Sequence, residues 1–112
     1  MASPTDYIQV VTTTENREDA QRIARTLVEQ RLAACVQILG PITSTYWWKE
    51  AVEIAEEWLC LIKSREDRYR ELEQTIRDLH PYEVPEILAM PVLAGNPSYL
   101  QWLTNELRAE EE

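Results

Sequence analysis

The segment of residues 52–62 is apolar on both faces of a strand, and this feature restricts the fold more than any other in the sequence. Successive side chains of a strand point to opposite faces. Apolar residues fill both sets of alternate positions: Trp58, Cys60 and Ile62 on one face, Leu59 and Leu61 on the other. A sheet containing this strand needs a cover on each side, and large apolar faces on small proteins usually mark interfaces. We therefore expect helices to cover one face and self-association to cover the other.

The other secondary-structure signals come in the order β-α-β, β-α-β, α. Runs of β-branched and aromatic residues predict the strands, and apolar residues at helical spacing predict the helices. The predicted elements are a strand at 7–12, a helix from Asn16 to about Leu32, a long bent strand at 33–48, a strand at 52–62, a helix ending at His80, a strand at 86–92 and a short helix after Asn96. This βαββαβ order plus a C-terminal helix predicts an α+β, ferredoxin-like fold. It is a split βαβ sandwich with a four-stranded antiparallel sheet and both crossover helices on one face.

Short motifs predict where several helices begin and end. Asn16 and Asn96 are typical N-cap residues of the first and last helices. Ser64 and Asp67 resemble a capping box at the start of the second crossover helix. We expect that helix to stop at His80, because a proline follows it.

Length and charge exclude several classes of protein. The 112 residues fit one domain, with an ordered core at about 6–108 and a frayed end at 110–112. Eleven basic and twenty acidic residues give a net charge of −9, which would repel a nucleic acid. No stretch has the roughly 20 apolar residues of a membrane helix, and residues 1–6 lack the features of a signal peptide. We therefore expect a cytoplasmic protein that binds neither nucleic acids nor membranes.

Motifs for catalysis and for structural metal sites are missing from the sequence. Cys35 and Cys60 allow at most one bridge and form no CxxC pair, which excludes a disulfide scaffold and a zinc ribbon. The sequence contains no GxSxG, HExxH, P-loop or EF-hand motif and only two glycines. It therefore predicts a protein that is not an enzyme and has no organic cofactor.

Five short motifs, in this order, resemble the CutA1 family. They are LAACV at 32–36, YWW at 46–48, LIKS at 61–64, HPYEVPEI at 80–87 and SYLQWL at 98–103. The resemblance covers nearly all of residues 7–107. It implies a ferredoxin-like subunit in a tight homotrimer, in which long hairpins between the second and third strands extend across neighbouring subunits. It also implies a link to tolerance of divalent cations, especially copper.

Two donor positions and one turn depart from the family pattern. Some bacterial members carry a cysteine where this chain has Thr12, and two adjacent histidines where it has Leu79 and His80. Imidazole and thiolate groups are the ligands that select copper. His80 and Cys35 are therefore the candidate ligands for copper(II) or another divalent cation. The glycine that the family tends to place in the hairpin is replaced by residues of the segment 49–51, which predicts a different local turn.

Each of these soft donors also has a structural interpretation. His80 could bind a metal or exchange a proton, or it could cap the last carbonyl groups of the second crossover helix. Cys35 and Cys60 are typical of buried thiols in strands. If their strands are neighbours, copper(I) could bridge the two sulfur atoms.

A second group of residues is suited to a ligand cleft between subunits. Lys63 ends the third strand, where we also expect the first strand and the loop after the second helix to emerge, and its cation could hold an anion. Tyr82, Glu86 and Trp48 would add a phenol, a carboxylate and an aromatic ring. The structural alternatives are a lysine paired with a nearby glutamate and an aromatic run, 46–48, that packs on both sheet faces.

Two functions follow from these observations, and a third remains open. The first is a homotrimer that binds divalent cations, copper in particular. The second is a signalling module that binds an anionic metabolite in clefts between subunits. A scaffold for another protein is the third. We interpret the acidic hairpin residues as a solvated edge that attracts hard cations weakly. They are Glu50, Glu53, Glu56 and Glu57.

Overall fold

The computed structural model describes residues 6–107, in which strands and helices follow the predicted order. The elements are β1 (Tyr7–Thr14), α1 (Arg17–Glu29), β2 (Cys35–Trp48), β3 (Ala51–Arg65), a 3₁₀ turn (Glu66–Arg68), α2 (Tyr69–Leu79), β4 (Ile87–Pro91) and α3 (Pro97–Glu106). The predicted frayed end at 110–112 lies outside the described residues.

The four strands form one sheet in the order β2-β3-β1-β4, and every neighbouring pair is antiparallel. Both β-α-β units return to this sheet, so the predicted α+β, ferredoxin-like fold is confirmed. Strand β3 is the longest, and it pairs with β2 over residues 51–63 and with β1 over residues 58–65. Its central place explains why its sequence is apolar on both faces.

Helices α1 and α2 cover one face of the sheet and form the main core with it. Val10, Cys60 and Ile62 are fully buried there. The helices contribute Ile23, Leu27, Leu72 and Ile76, none of which is accessible to solvent. This face corresponds to the Trp58, Cys60 and Ile62 side that the strand alternation predicted.

Helix α3 covers only one end of the second face. It packs Leu103 and Leu107 on Tyr7 in a separate small cluster. Leu59 and Leu61 are half-buried, and neighbouring positions on this face, such as Leu39, Leu88 and Met90, are exposed. An apolar second face is thus present within the protomer, and its cover by sister copies stays a prediction.

Strands β2 and β3 continue past the sheet as a two-stranded arm, which is the predicted extended hairpin. The pairing of β1 with β3 stops at Thr14 and Trp58, whereas β2 and β3 stay paired to Trp48 and Ala51. We call residues 42–57 the hairpin arm. The two turn residues at its tip, 49 and 50, have φ angles of 50° and 67°, a left-handed conformation that usually favours glycine or asparagine.

Strand β2 bends where the sequence has Gly40 and a proline. The pairing register shifts between Leu39 and Ile42, as the predicted bend requires. A Cβ atom on Gly40 would lie 2.5 Å from Cε3 of Trp58, so the ring can pack on the strand only because residue 40 has no side chain.

Helix α1 ends at Glu29, three residues before its predicted end. Arg31 has a φ angle of 59°, and the amides of Arg31 and Leu32 donate to the carbonyls of Val28 and Leu27. This is the hydrogen-bond pattern of a Schellman motif, which closes a helix with one left-handed residue. The buried pair Leu27 and Leu32 supplies the hydrophobic contact that accompanies such an end.

The predicted capping box at Ser64 is wrong. Strand β3 continues to Arg65, and Ser64 is buried in it opposite Ile8. The Ser64 hydroxyl donates to the carbonyl of Leu32 at 2.7 Å instead of accepting a backbone amide at a helix N-terminus. In contrast, the predicted caps at Asn16 and Asn96 are confirmed, because each side chain accepts a backbone amide of the first helical turn.

Candidate functional site

A groove of about 730 Å³ lies between the base of the hairpin arm and the segment that follows α2. Its volume is in the range typical of small-molecule sites. The lining residues come from the end of β1, from the arm and from the segment after α2: Thr13, Glu15, Ser44, Thr45, Tyr46, Trp47, Trp48, Ala55, Glu57, Tyr82, Glu83, Val84 and Glu86.

Strand alternation places the groove-lining side chains Tyr46, Trp48 and Glu57 on one face of the arm. Tyr46 pairs with Glu53 and Trp48 with Ala51, so both aromatic side chains lie on the same face as Glu57. Trp47 points the other way and is 73% exposed. The prediction that the aromatic run packs on both sheet faces is therefore wrong within the protomer, because the arm extends beyond the body of the sheet.

His80 fixes the start of the segment after α2. The ring is buried, its Nε2 donates to the carbonyl of Thr13 at 2.6 Å, and its Nδ1 accepts the amide of Tyr82 at 3.1 Å. A carbonyl can only accept and an amide can only donate, so these two bonds define the tautomer. Both ring nitrogens are thus engaged within the protomer.

Tyr82 connects this segment to the arm. Its ring lies 4.8 Å from that of His80, and its hydroxyl donates to Oε2 of Glu57 at 2.8 Å. Burial, followed by the hydrogen bond to Glu57, raises the pKa of the Tyr82 phenol. The phenol therefore stays protonated and remains a donor to the carboxylate.

The groove is strongly acidic. Four carboxylates line it, those of Glu15, Glu57, Glu83 and Glu86, and no lysine, arginine or histidine is among its described lining residues. Glu57 is only 7% exposed, in contrast to the solvated hairpin edge predicted for it. Its place in the strand explains the difference, since it shares the face of Leu59 and is covered by Tyr82.

Comparison with known proteins agrees with this fold and these motifs. The model of the family described as "CutA1 divalent ion tolerance protein" matches residues 8–106. This chain belongs to the CutA1 family. The "Divalent-cation tolerance protein CutA" of Thermus thermophilus is 45% identical over 94 residues, which cover 84% of this chain and 91% of that protein. The chain spans about half of the length of curated plant and animal CutA proteins that it matches.

Two solved CutA1 structures show the same fold. That of CutA1 from Oryza sativa has a TM-score of 0.91 at 39% identity and covers 96% of this chain and 100% of its own. That of the "Periplasmic divalent cation tolerance protein CutA" from Archaeoglobus fulgidus has a TM-score of 0.88 at 33% identity, covering 91% and 99%.

The CutA1 groove brings together some of the predicted cleft residues but not all. Trp48, Tyr82 and Glu86 line it, and His80 adjoins it through Tyr82. Lys63 lies roughly 20 Å from Glu57 along β3, because six residues separate them. The predicted meeting of Lys63 with the loop after α2 is therefore wrong.

The antiparallel pairing of β1 and β3 explains where Lys63 lies. It places Lys63 beside Gln9, near the start of β1, whereas the loop after α2 contacts the end of β1 at Thr13. The ammonium donates to the side chain of Gln9 and not to the predicted glutamate.

Cys35 and His80 lie apart in the protomer. Cys35 pairs with Lys63 and so aligns with Gln9, four residues from the Thr13 carbonyl that holds His80. Strand geometry separates the two candidate ligands by roughly 16 Å. They cannot hold one ion within a single chain of this fold.

The two cysteines lie on neighbouring strands but on opposite faces of the sheet. Cys60 pairs with Ile38, three positions from Cys35, and an odd offset reverses the side-chain direction. Cys60 is fully buried, and burial raises the pKa of its thiol from 9.0 to about 11. A copper(I) bridge between them is therefore excluded in this conformation.

The residues that replace the family's donors in this chain do not restore a metal site with soft ligands. The hydroxyl of Thr12 is buried, with no hydrogen-bond partner among the described residues, and it faces the main core beside Cys60. Within residues 6–107, no group of three or more His, Cys, Asp or Glu side chains is arranged to hold a metal ion. One protomer therefore does not fit a copper site built from imidazole and thiolate.

The predicted set missed Glu15 and Glu57. The first lies just past the end of β1, and the second becomes a groove residue only when the segment after α2 folds over the arm. The sequence offered one signal for Glu57, namely strand alternation. Glu57 lies two residues from Leu59 and four from Leu61, so all three side chains lie on the same face of the strand.

Proposed function

We propose that this CutA1 chain binds divalent cations through the carboxylates at the rim of the groove and catalyses no reaction. The observation that supports this function is the acidic lining, in which four carboxylates line one groove with no described cation among them. Carboxylate oxygens suit hard divalent ions and copper(II) better than copper(I). Copper(II) is therefore the form of copper that we expect here.

The proposed assembly is a homotrimer that completes the site. Residues 6–107 of a single protomer offer too few converging ligands, and the second sheet face is apolar and partly exposed. Sister copies that cover this face would also place new side chains near the groove, since the arm extends past the sheet.

The predicted cytoplasmic location is part of the same proposal. Among the described helices, none has the length and apolar character to cross a membrane.

An anionic metabolite is not favoured by this groove. Binding an anion requires a positive group, and Lys63, the cation predicted for that role, is bonded to Gln9 at the other end of the sheet. The carboxylates of the groove would repel an anion. The geometry therefore favours the cation-binding function over the anionic alternative.

Isothermal titration with copper(II), zinc(II) and manganese(II) tests the proposal. The double variant Glu83→Gln/Glu86→Gln removes two rim carboxylates, and we expect about tenfold weaker binding of the ion. The matched control is Glu53→Gln/Glu56→Gln, which removes two exposed carboxylates of the arm that do not line the groove. Equal affinities for both double variants, or no binding in the wild type, would contradict the proposal.

Two further measurements separate the parts of this proposal. Sedimentation tests the assembly, which should have three times the chain mass of 13.1 kDa. Zinc(II) titration followed by NMR of the His80 ring tests the ligand set. We expect the ring signals to stay in place, because both nitrogens are already hydrogen-bonded. A large shift of these signals would instead make His80 a ligand.

A further inference from the structure

The segment between α2 and β4 is held in place by hydrogen bonds that involve side chains. We call residues 80–86 the strap, since they pass the end of β1 beside the groove. Among the described hydrogen bonds, none joins the backbone of residues 81–86 to another backbone group. The ring of His80 donates to the carbonyl of Thr13 and accepts the amide of Tyr82. A segment with so few backbone hydrogen bonds can open locally at low free-energy cost.

Glu57 lies beneath the strap and differs from the other carboxylates of the groove. It is 7% exposed, whereas Glu15, Glu83 and Glu86 are exposed to solvent. No salt bridge described within residues 6–107 includes Glu57, and its described hydrogen bond comes from the neutral phenol of Tyr82. A buried carboxylate without a counter-charge is unfavourable, so Glu57 would gain from contact with a cation.

The closed strap stands between Glu57 and an ion that enters the groove. A divalent cation binds several oxygen ligands, water included, and needs space around each carboxylate. The Tyr82 phenol occupies Oε2 of Glu57 at 2.8 Å, and the residue is almost fully covered. Hydrogen bonds to a carboxylate are among the stronger ones in proteins. An ion therefore meets the exposed carboxylates first and can use Glu57 only after the phenol leaves.

We propose that the Tyr82 hydroxyl competes with a divalent cation for the Glu57 carboxylate, so that capture of the cation by Glu57 opens the strap. This inference rests on the cation-binding function proposed above and adds a regulatory contact to it. The bond from Tyr82 to Glu57 joins the strap to the hairpin arm, so its loss frees one side of the groove from the other. The closed strap lowers the affinity of the groove for the ion.

Calorimetric titration of the Tyr82→Phe variant with manganese(II) tests this competition. The substitution removes the hydroxyl but keeps the ring that lies 4.8 Å from His80 and the amide that bonds to its Nδ1. We expect about tenfold tighter binding than in the wild type, because the ion no longer displaces a hydrogen bond from a charged group. The control Tyr99→Phe removes a hydroxyl on α3, outside the groove, and should bind as the wild type does. Equal or weaker binding in Tyr82→Phe would overturn the proposal.

A double variant shows whether the gain comes from Glu57. Tyr82→Phe/Glu57→Gln should lose the tenfold gain, because the carboxylate that the ion captures is gone. Tyr82→Phe/Glu56→Gln should keep the gain, since Glu56 is exposed and does not line the groove. Persistence of the gain without the Glu57 carboxylate would assign it to another group and contradict the competition.

Hydrogen exchange at the amide of residue 82 measures the opening of the strap itself. This amide is bonded to His80, so it is protected while the strap is closed. We expect about tenfold faster exchange in Tyr82→Phe with a chelator present, and faster exchange in the wild type when it is saturated with zinc(II). An unchanged rate in both experiments would show that neither the phenol nor the ion controls the strap.

The titrations also separate this proposal from the cation-binding function. Binding by the wild type with no gain in Tyr82→Phe would overturn the competition and leave the function standing. Binding by Tyr82→Phe alone would support the competition and contradict the function proposed for the wild type. Absence of binding in both proteins would overturn both proposals.

Discussion

The tip of the hairpin arm allows a quantitative test of backbone strain. Lys49 and Glu50 hold φ angles of 50° and 67°, although neither residue is glycine or asparagine. A left-handed conformation costs an L-residue roughly 1–2 kcal/mol. Glycine removes this penalty, but its greater freedom in the unfolded chain takes back about 0.5–1 kcal/mol. We therefore expect Glu50→Gly to stabilise the protein by about 0.5–1 kcal/mol.

Urea unfolding at fixed protein concentration measures this change. The midpoint should rise with an unchanged slope, and the melting temperature should rise by about 2–6 °C for a domain of this size. The protein concentration must be constant, because association with sister copies would itself shift the midpoint.

Two controls separate strain from the other effects of the substitution. Glu50→Ala removes the same charge but keeps the strained angle, so its stability should stay near that of the wild type. Glu53→Gly introduces glycine into the extended part of the arm, and we expect a loss of about 0.5–1 kcal/mol. A lower midpoint for Glu50→Gly, or an equal gain in Glu50→Ala, would refute the reasoning.

Three other substitutions or conditions test the core. Gly40→Ala should destabilise by about 1–3 kcal/mol in urea unfolding, because the new Cβ would meet the Trp58 ring at 2.5 Å. The double variant Gly40→Ala/Trp58→Leu should recover part of this loss. Ser64→Ala should cost about 1–3 kcal/mol, since the buried carbonyl of Leu32 loses its donor, and Ser64→Thr is the comparison that keeps a hydroxyl. The stability contributed by the neutral Cys60 thiol should be complete below pH 9 and decline from there to about pH 11, because the unfolded thiol ionises first. Cys60→Ala should flatten the stability curve over this range.

Local patterns predicted most of the fold. Alternation along β3 identified both apolar faces, and the caps at Asn16 and Asn96 follow from hydrogen bonds within three residues of each side chain. The prediction at Ser64 failed because a tertiary contact overrode a local motif. Pairing with Ile8 extends the strand through this residue, and a carbonyl from a distant loop uses its hydroxyl.

The groove was harder to predict, because its parts are distant in the sequence. Residue types and motifs placed Tyr82, Glu86 and Trp48 among the candidates. The contact between Tyr82 and Glu57 spans 25 positions and depends on His80 bonding to Thr13. No short pattern encodes such contacts, so the position of Lys63 relative to the groove could be settled only by the sheet register.

The hairpin arm divides β3 into two parts with different local stability. Residues 59–63 are paired with a strand on either side, whereas residues 51–57 are paired only with β2. A two-stranded ribbon is marginally stable by itself, so in a dilute protomer the amides of the outer part should exchange with deuterium faster than those of the inner part. A surface that covers the arm would slow only the outer amides. The difference in deuterium exchange between the outer and inner amides of β3 therefore shows whether another surface covers the arm.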